Sequence, residues 1–254
     1  MRSYRILARK AKTLLNIVKF RLIEKKKFGV GYIHYKIGSD SLLICFSAFP
    51  PTDFRVYNNI KGFNHVGVDR LYIKDSWGYR GSYYLYENGH DYPYLKTSKF
   101  IEHILSKYKY RNIYTAGTSK GGTCAILYGL KYGANHIFSG ACQYRIGNWL
   151  NVPQHNEILN KMKGCEDTLT FVEKLNSFLP DLVNSVGKVN STIHLVYSKR
   201  EHTYKDHIIQ LVEDLHKNNI KVIEHECFFD NHNDVGYVFV PYVTNWFKVN
   251  NHTK

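Results

Sequence analysis

Apolar residues recur along this chain in two rhythms, and the alternation between them predicts a layered fold. Short runs rich in β-branched and aromatic residues fall at 31–37 (GYIHYKI), 42–47 (LLICFS), 66–73 (VGVDRLYI), 112–116 (NIYTA), 136–139 (HIFS), 193–197 (IHLVY) and 221–227. Each reads as a strand. Between them stand helical spacings. Residues 97–109 carry Phe100, Ile101, Ile104, Leu105 and Tyr108 at intervals of three and four, and 123–129, 204–217 and 235–249 read as further helices. Strands alternating with helices predict an α/β chain, with a mostly parallel sheet covered on both faces.

Three segments depart from this rhythm. Residues 76–93, rich in glycine, tyrosine and aspartate, read as a long loop of the kind that often carries function. Residues 143–188 are helical but less regular and are expected to form a small helical cap. Residues 1–27 form a basic amphipathic arm, which leaves 28–254 as one α/β domain, a size that commonly stays single. No internal repeat or low-complexity linker interrupts it.

Charge changes the picture at the N-terminus. The chain carries +14, and its residues 2–27 hold ten basic side chains against Glu24 alone, a local charge of +9. The longest charge-free apolar stretch there is 14–18, too short for a membrane span or a signal-peptide core. A basic amphipathic helix on anionic lipid fits this composition. So does a helix docked on the domain, or one that meets a polyanionic partner. Nothing beyond charge points to nucleic acid: no recognition motif is visible and the basic residues gather at one end. The five cysteines (45, 124, 142, 165 and 227) are odd in number and mostly apolar in setting, with no C-x-x-C pair. They predict buried free thiols of a reducing cytosol, with neither a disulfide framework nor a metal site.

The candidate chemistry centres on 117–121 (GTSKG), which fits G-x-S-x-G, a serine on a sharp strand-to-helix turn. The β-prone run before it and the small apolar run after it supply the context this motif requires. A phosphate-binding loop is excluded, because Lys120 precedes Gly121 and Gly122 and no G-K-[ST] follows.

A serine hydroxyl needs a base, and the base works best when a carboxylate fixes its tautomer. In an elbow of this type the chain order is serine, acid, histidine. His232 sits in a polar loop five residues past the last strand and is the candidate base for Ser119; His225 lies within a strand and His216 on a helix. Glu201, in the turn after 193–197, is the first candidate acid, with Asp206 as the competitor one turn on; Asp234 adjoins His232 too closely to reach its ring. The oxyanion hole is expected to use the backbone N–H of Lys120 and that of Ala48 or Phe49, since Pro50 and Pro51 cannot donate.

With these residues in place, a resemblance emerges. The runs 46–51 (FSAFPP), 81–84 (GSYY), 117–122 (GTSKGG), Ile193-His194 and the His232 loop, in this order, resemble bacterial capsular polysaccharide O-acetyltransferases of the α/β-hydrolase type. The resemblance spans about residues 30–250 and omits the arm. It implies an α/β-hydrolase fold and acetyl transfer from acetyl-CoA to a hydroxyl of a capsular polysaccharide through an acetyl-serine on Ser119. It also implies a substrate-side role for Gln143 and Tyr83. At the acid the chain departs, with Arg200-Glu201 where the family pattern looks like paired aspartates. A cytoplasmic enzyme is implied, with a peripheral place at the inner membrane face and capsule-assembly proteins as candidate partners. A carbohydrate esterase using the same three residues, or a noncatalytic component of a polysaccharide assembly, are the alternative readings.

Overall fold

A computed structural model describes residues 20–50, 57–187 and 189–250. Eight strands form one sheet: β1 (Lys25–Lys27), β2 (Val30–Tyr35), β3 (Ser41–Phe46), β4 (Asp69–Lys74), β5 (Asn112–Thr118), β6 (His136–Gly140), β7 (Thr192–Tyr197) and β8 (Lys221–Glu226), in the spatial order β1-β2-β4-β3-β5-β6-β7-β8. The strands from β3 onward pair in parallel, while β1 and β2 close one edge antiparallel. This is the α/β-hydrolase arrangement expected from the alternating runs.

Alternation within the strands explains why they read as continuous apolar runs. In β3, Leu42, Ile44 and Phe46 face one core and Leu43 and Cys45 the other, as the two-residue period of a strand dictates when both faces are covered. The first face is covered by α1 (Tyr92–Tyr108), α2 (Lys120–Lys131) and α5 (Thr168–Ser185). The second is covered by α7 (Val235–Asn250), through Val235, Phe239, Val243 and Phe247, and by residues 57–68. The irregular region 143–188 contains α3 (Ile146–Leu150), α4 (Asn156–Lys163) and α5, and its Ile158, Met162, Phe171 and Leu175 join the first core. Helix α6 (Ile209–Lys217) is preceded by a wider turn at Tyr204–Ile208.

Two expectations need correction. The helix expected over 97–109 starts at Tyr92, because Pro93 in its first turn needs no N–H partner and has its φ set for a helix. The segment 76–91 is irregular, as a loop should be, and folds inward: Ser82, Tyr83, Tyr84 and Leu85 are all fully buried. In the basic arm, Lys25–Lys27 form the edge strand β1, so no single helix runs through to residue 27. The rest of the arm up to residue 19, and Pro51 of the FSAFPP run, lie outside the described residues.

Candidate active site

Ser119 stands between β5 and α2 with φ 53° and ψ −127°, a left-handed conformation that non-glycine residues avoid. Its N–H donates to Gly140 O at 2.7 Å and its carbonyl accepts from Gly122 and Thr123, so the turn is fixed from both sides. The flanking glycines are required by approach. A Cβ on Gly117 would lie 2.1 Å from Gly121 O, and one on Gly121 would lie 2.5 Å from Phe46 O.

The structure brings Ser119, His232 and Glu201 together. Ser119 Oγ lies 2.7 Å from His232 Nε2, and His232 Nδ1 lies 3.0 Å from Glu201 Oε1. With the proton on Nδ1 donated to the carboxylate, Nε2 is the acceptor for the serine hydroxyl. Glu201 is buried in the turn after β7, where Oε2 also accepts from the Thr203 hydroxyl and His202 Nδ1 stands 2.9 Å from Oε1. Burial pushes its pKa up, but the hydrogen bonds from His232 and Thr203 and the nearby imidazoles outweigh that, and the net position is below the usual carboxylate value. Asp206 is exposed and takes no part in this chain of bonds.

Gln143 and Tyr83 lie behind the nucleophile, both fully buried. Gln143 Nε2 donates to Ser119 Oγ at 3.3 Å, and Tyr83 OH donates to Gln143 Oε1 at 3.1 Å. Thr123 Oγ1 clamps the Gln143 backbone from both sides. The amide therefore shares Ser119 Oγ with the His232 imidazole. On the other flank, Ala48 N–H donates to Asn58 Oδ1 at 3.1 Å, while the ring of Phe49 packs edge-on against Tyr83. Lys120 occupies the first position of α2, where a backbone N–H has no partner within its helix.

Sequence reasoning missed Asp75, Trp149, His202 and His207. Lys120 Nζ, fully buried, pairs with Asp75 Oδ2 at 2.8 Å. That same oxygen accepts from the N–H groups of Ser82 and Tyr84, and Asp75 N–H donates to Ser47 Oγ. The signal for Asp75 was a lone carboxylate just past an apolar strand. Trp149, on α3, sets its ring 5.3 Å from that of His232 and stacks nearly parallel on His202. No spacing rule connects 149 with 202 or 232. Among the described residues, no group of histidine, cysteine or acidic side chains could hold a metal ion.

The parallel sheet, the serine elbow after its central strand and the histidine loop after its last one are those of the α/β-hydrolase fold. Within that class, the chain resembles the capsule O-acetyltransferase of Neisseria meningitidis serogroup A, with TM-score 0.75 and 25% identity over 89% of this chain and 93% of that one. A His→Ala variant of the same enzyme, in complex with CoA, aligns at 24% identity and TM-score 0.75 over 88% and 94% of the two chains. The fold is shared more distantly with FphF, a fluorophosphonate-binding serine hydrolase of Staphylococcus aureus (TM-score 0.63, 12% identity, 86% of this chain and 91% of that). It is also shared with Est1E of Butyrivibrio proteoclasticus, bound to ferulic acid (TM-score 0.59, 16% identity, 89% and 97%). No family profile and no curated protein sequence matches the chain.

Proposed function

We propose that the protein is a serine-dependent O-acetyltransferase that moves acetyl from acetyl-CoA to a hydroxyl of a bacterial surface polysaccharide. The observation that carries this reading is the hydrogen-bonded line from Ser119 Oγ through His232 to Glu201 on a left-handed elbow. Its likeness to a capsule O-acetyltransferase, one variant of which binds CoA, supports the donor and the acceptor class.

Ser119 Oγ attacks the thioester carbonyl as His232 Nε2 takes its proton, and the N–H of Lys120 faces the developing oxyanion. The thiolate leaves with the proton from His232, and acetyl remains on Ser119. An acceptor hydroxyl then gives its proton to His232 and attacks the acetyl carbonyl, and the Oγ–acetyl bond breaks as the proton returns to Ser119. Glu201 accepts from His232 Nδ1–H throughout, which keeps that proton on the ring and stabilises the imidazolium. With an acetylated sugar as the acyl donor and water as the acceptor, the same three residues would make a carbohydrate esterase, the chemistry closer to the serine-hydrolase neighbours. The basic arm is proposed to hold the protein at anionic membrane or polymer.

Intact-mass measurement after brief exposure to acetyl-CoA tests the reading. One acetyl group on the wild type and none on Ser119→Ala is expected; no adduct together with no release of CoA would overturn it. Turnover that rises when polysaccharide is added separates the transferase from the esterase.

A further inference from the structure

Beside His232 opens a pocket of about 340 Å³, bordered by α3, the turn after β7 and the start of the wide turn leading to α6. Its volume is at the small end of the roughly 300–1,000 Å³ typical of ligand clefts. Trp149 is its hub: His202 stacks on the indole at 5.3 Å and 4°, His155 lies at 5.0 Å, His207 at 6.1 Å and His232 itself at 5.3 Å. The indole Nε1 is buried with no hydrogen-bond partner.

The hydrogen bonds already made assign what each wall offers. His155 Nδ1–H donates to Trp149 O, so it presents Nε2 as an acceptor when neutral. His207 Nδ1 accepts from Arg145 N–H, so its Nε2 carries the proton and donates. Burial, chiefly, pushes the His207 pKa down to about 4 and keeps that tautomer neutral. Asp206 adds a carboxylate, and among the described residues no lysine or arginine lines the pocket.

This set discriminates between the two substrates that must meet His232. The nucleotide end of CoA carries several phosphate charges and needs cations or helix N-termini around it. A wall with the Asp206 carboxylate and the neutral His207 ring offers it no such partner. A sugar ring wants the opposite: paired donors and acceptors for its hydroxyls and an aromatic surface for its C–H face. Resting on the acyl-transfer reading above, we propose that this pocket is the acceptor subsite and takes a neutral pyranose ring. The ring packs against the Trp149–His202 stack, its hydroxyls meet His155, His207 and Asp206, and one hydroxyl is presented to His232.

Saturation-transfer NMR on the full chain tests the subsite without any chemistry. The probes are the methyl glycosides of glucose, mannose and galactose and their 2-acetamido derivatives, at millimolar concentration. Transfer to the ring protons of at least one of them is expected. Its affinity should weaken by roughly three- to tenfold in Asp206→Asn, the loss expected from one or two hydrogen bonds, and further in Trp149→Leu. Asp206 is exposed, so the first variant has no packing to lose. Binding of none of the glycosides to the wild type would overturn the proposal. So would competition between them and adenosine 3′,5′-bisphosphate for the pocket. Loss of glycoside binding with Ser119 still acetylated refutes the subsite alone; glycoside binding without any acetyl-serine refutes the reaction and keeps the saccharide site.

Discussion

Lys120 Nζ lies 2.8 Å from Asp75 Oδ2, and the two side chains are 0% and 1% exposed. The residue after the nucleophile thus serves twice. Its backbone N–H begins helix α2 at the elbow, and its side chain anchors the carboxylate that ties the left-handed segment Arg80, Gly81, Tyr83 and Tyr84 and, through Ser47 Oγ, the loop after β3. A Cβ on Gly81 would fall 2.9 Å from Asp75 Oδ2, so the ion pair and that backbone were shaped together.

Breaking this pair leaves a buried charge without its partner. Asp75→Asn and Lys120→Met are each expected to destabilise the fold by about 3–5 kcal/mol, read from denaturant unfolding. The double variant Asp75→Leu/Lys120→Met should lose less than the sum of the two. Single losses below about 1 kcal/mol, typical of exposed pairs, would show that water reaches the site.

The bonded line at the serine predicts a ranking of activities. Ser119→Ala and His232→Ala should each lower acetyl transfer by on the order of 10³-fold or more while the far-UV spectrum is unchanged. Glu201→Gln should cost up to roughly 10⁴-fold by disturbing the His232 tautomer. Asp206→Asn should leave kcat far closer to wild type. The reverse order for the two acids would move the orienting role to the turn before α6.

Acid should unfold the protein through its buried imidazoles. Burial, above all, pushes His34 and His207 down to about 4 and His194 to about 3, from an ordinary 6.5. A group held neutral in this way contributes fully above 6.5, and that contribution is lost as pH falls toward the folded value. Glu201, also lowered, adds its loss below the usual carboxylate value. Urea midpoints should therefore decline steadily from pH about 6.5 to about 3. His194→Gln should flatten the upper part of that decline; an unchanged slope would remove His194 from the account.

Removal of residues 1–19 should spare acetyl-serine formation and weaken co-sedimentation with anionic liposomes. That binding should fade with salt, since the Debye length is about 8 Å at physiological ionic strength. The cut must stop short of Glu24, which accepts hydrogen bonds from Tyr57 and Lys74 and so belongs to the domain. Equal binding by the shortened chain would make the arm a structural element.

How much of this was legible depended on distance along the chain. The sheet was, because β3 to β7 each announce themselves by a local apolar run and β8 by its β-branched Val222-Ile223 pair. Ser119, His232 and Glu201 were, because in this fold the sites of chemistry follow particular strands. The buried character of 80–85 was not. Its glycine and tyrosines read only as a loop, and Asp75, which gives two of its N–H groups an acceptor, is too far along the chain to show that it folds inward. Gln143 was visible as a residue but its placement was not: only the parallel pairing of β5 with β6 brings its amide to Ser119 Oγ. Trp149 and its imidazoles come from three separate segments and share no period at all.

The nucleophile and its base are 113 residues apart in sequence. At a synthesis rate of about 5–20 residues per second, an emerging chain carries its serine for on the order of 10 s before the histidine has even been made. Throughout that interval the hydroxyl is an ordinary alcohol. Under the proposed reaction, a chain cut anywhere before His232 would therefore hold its serine without the imidazole that activates it and form no acyl-serine.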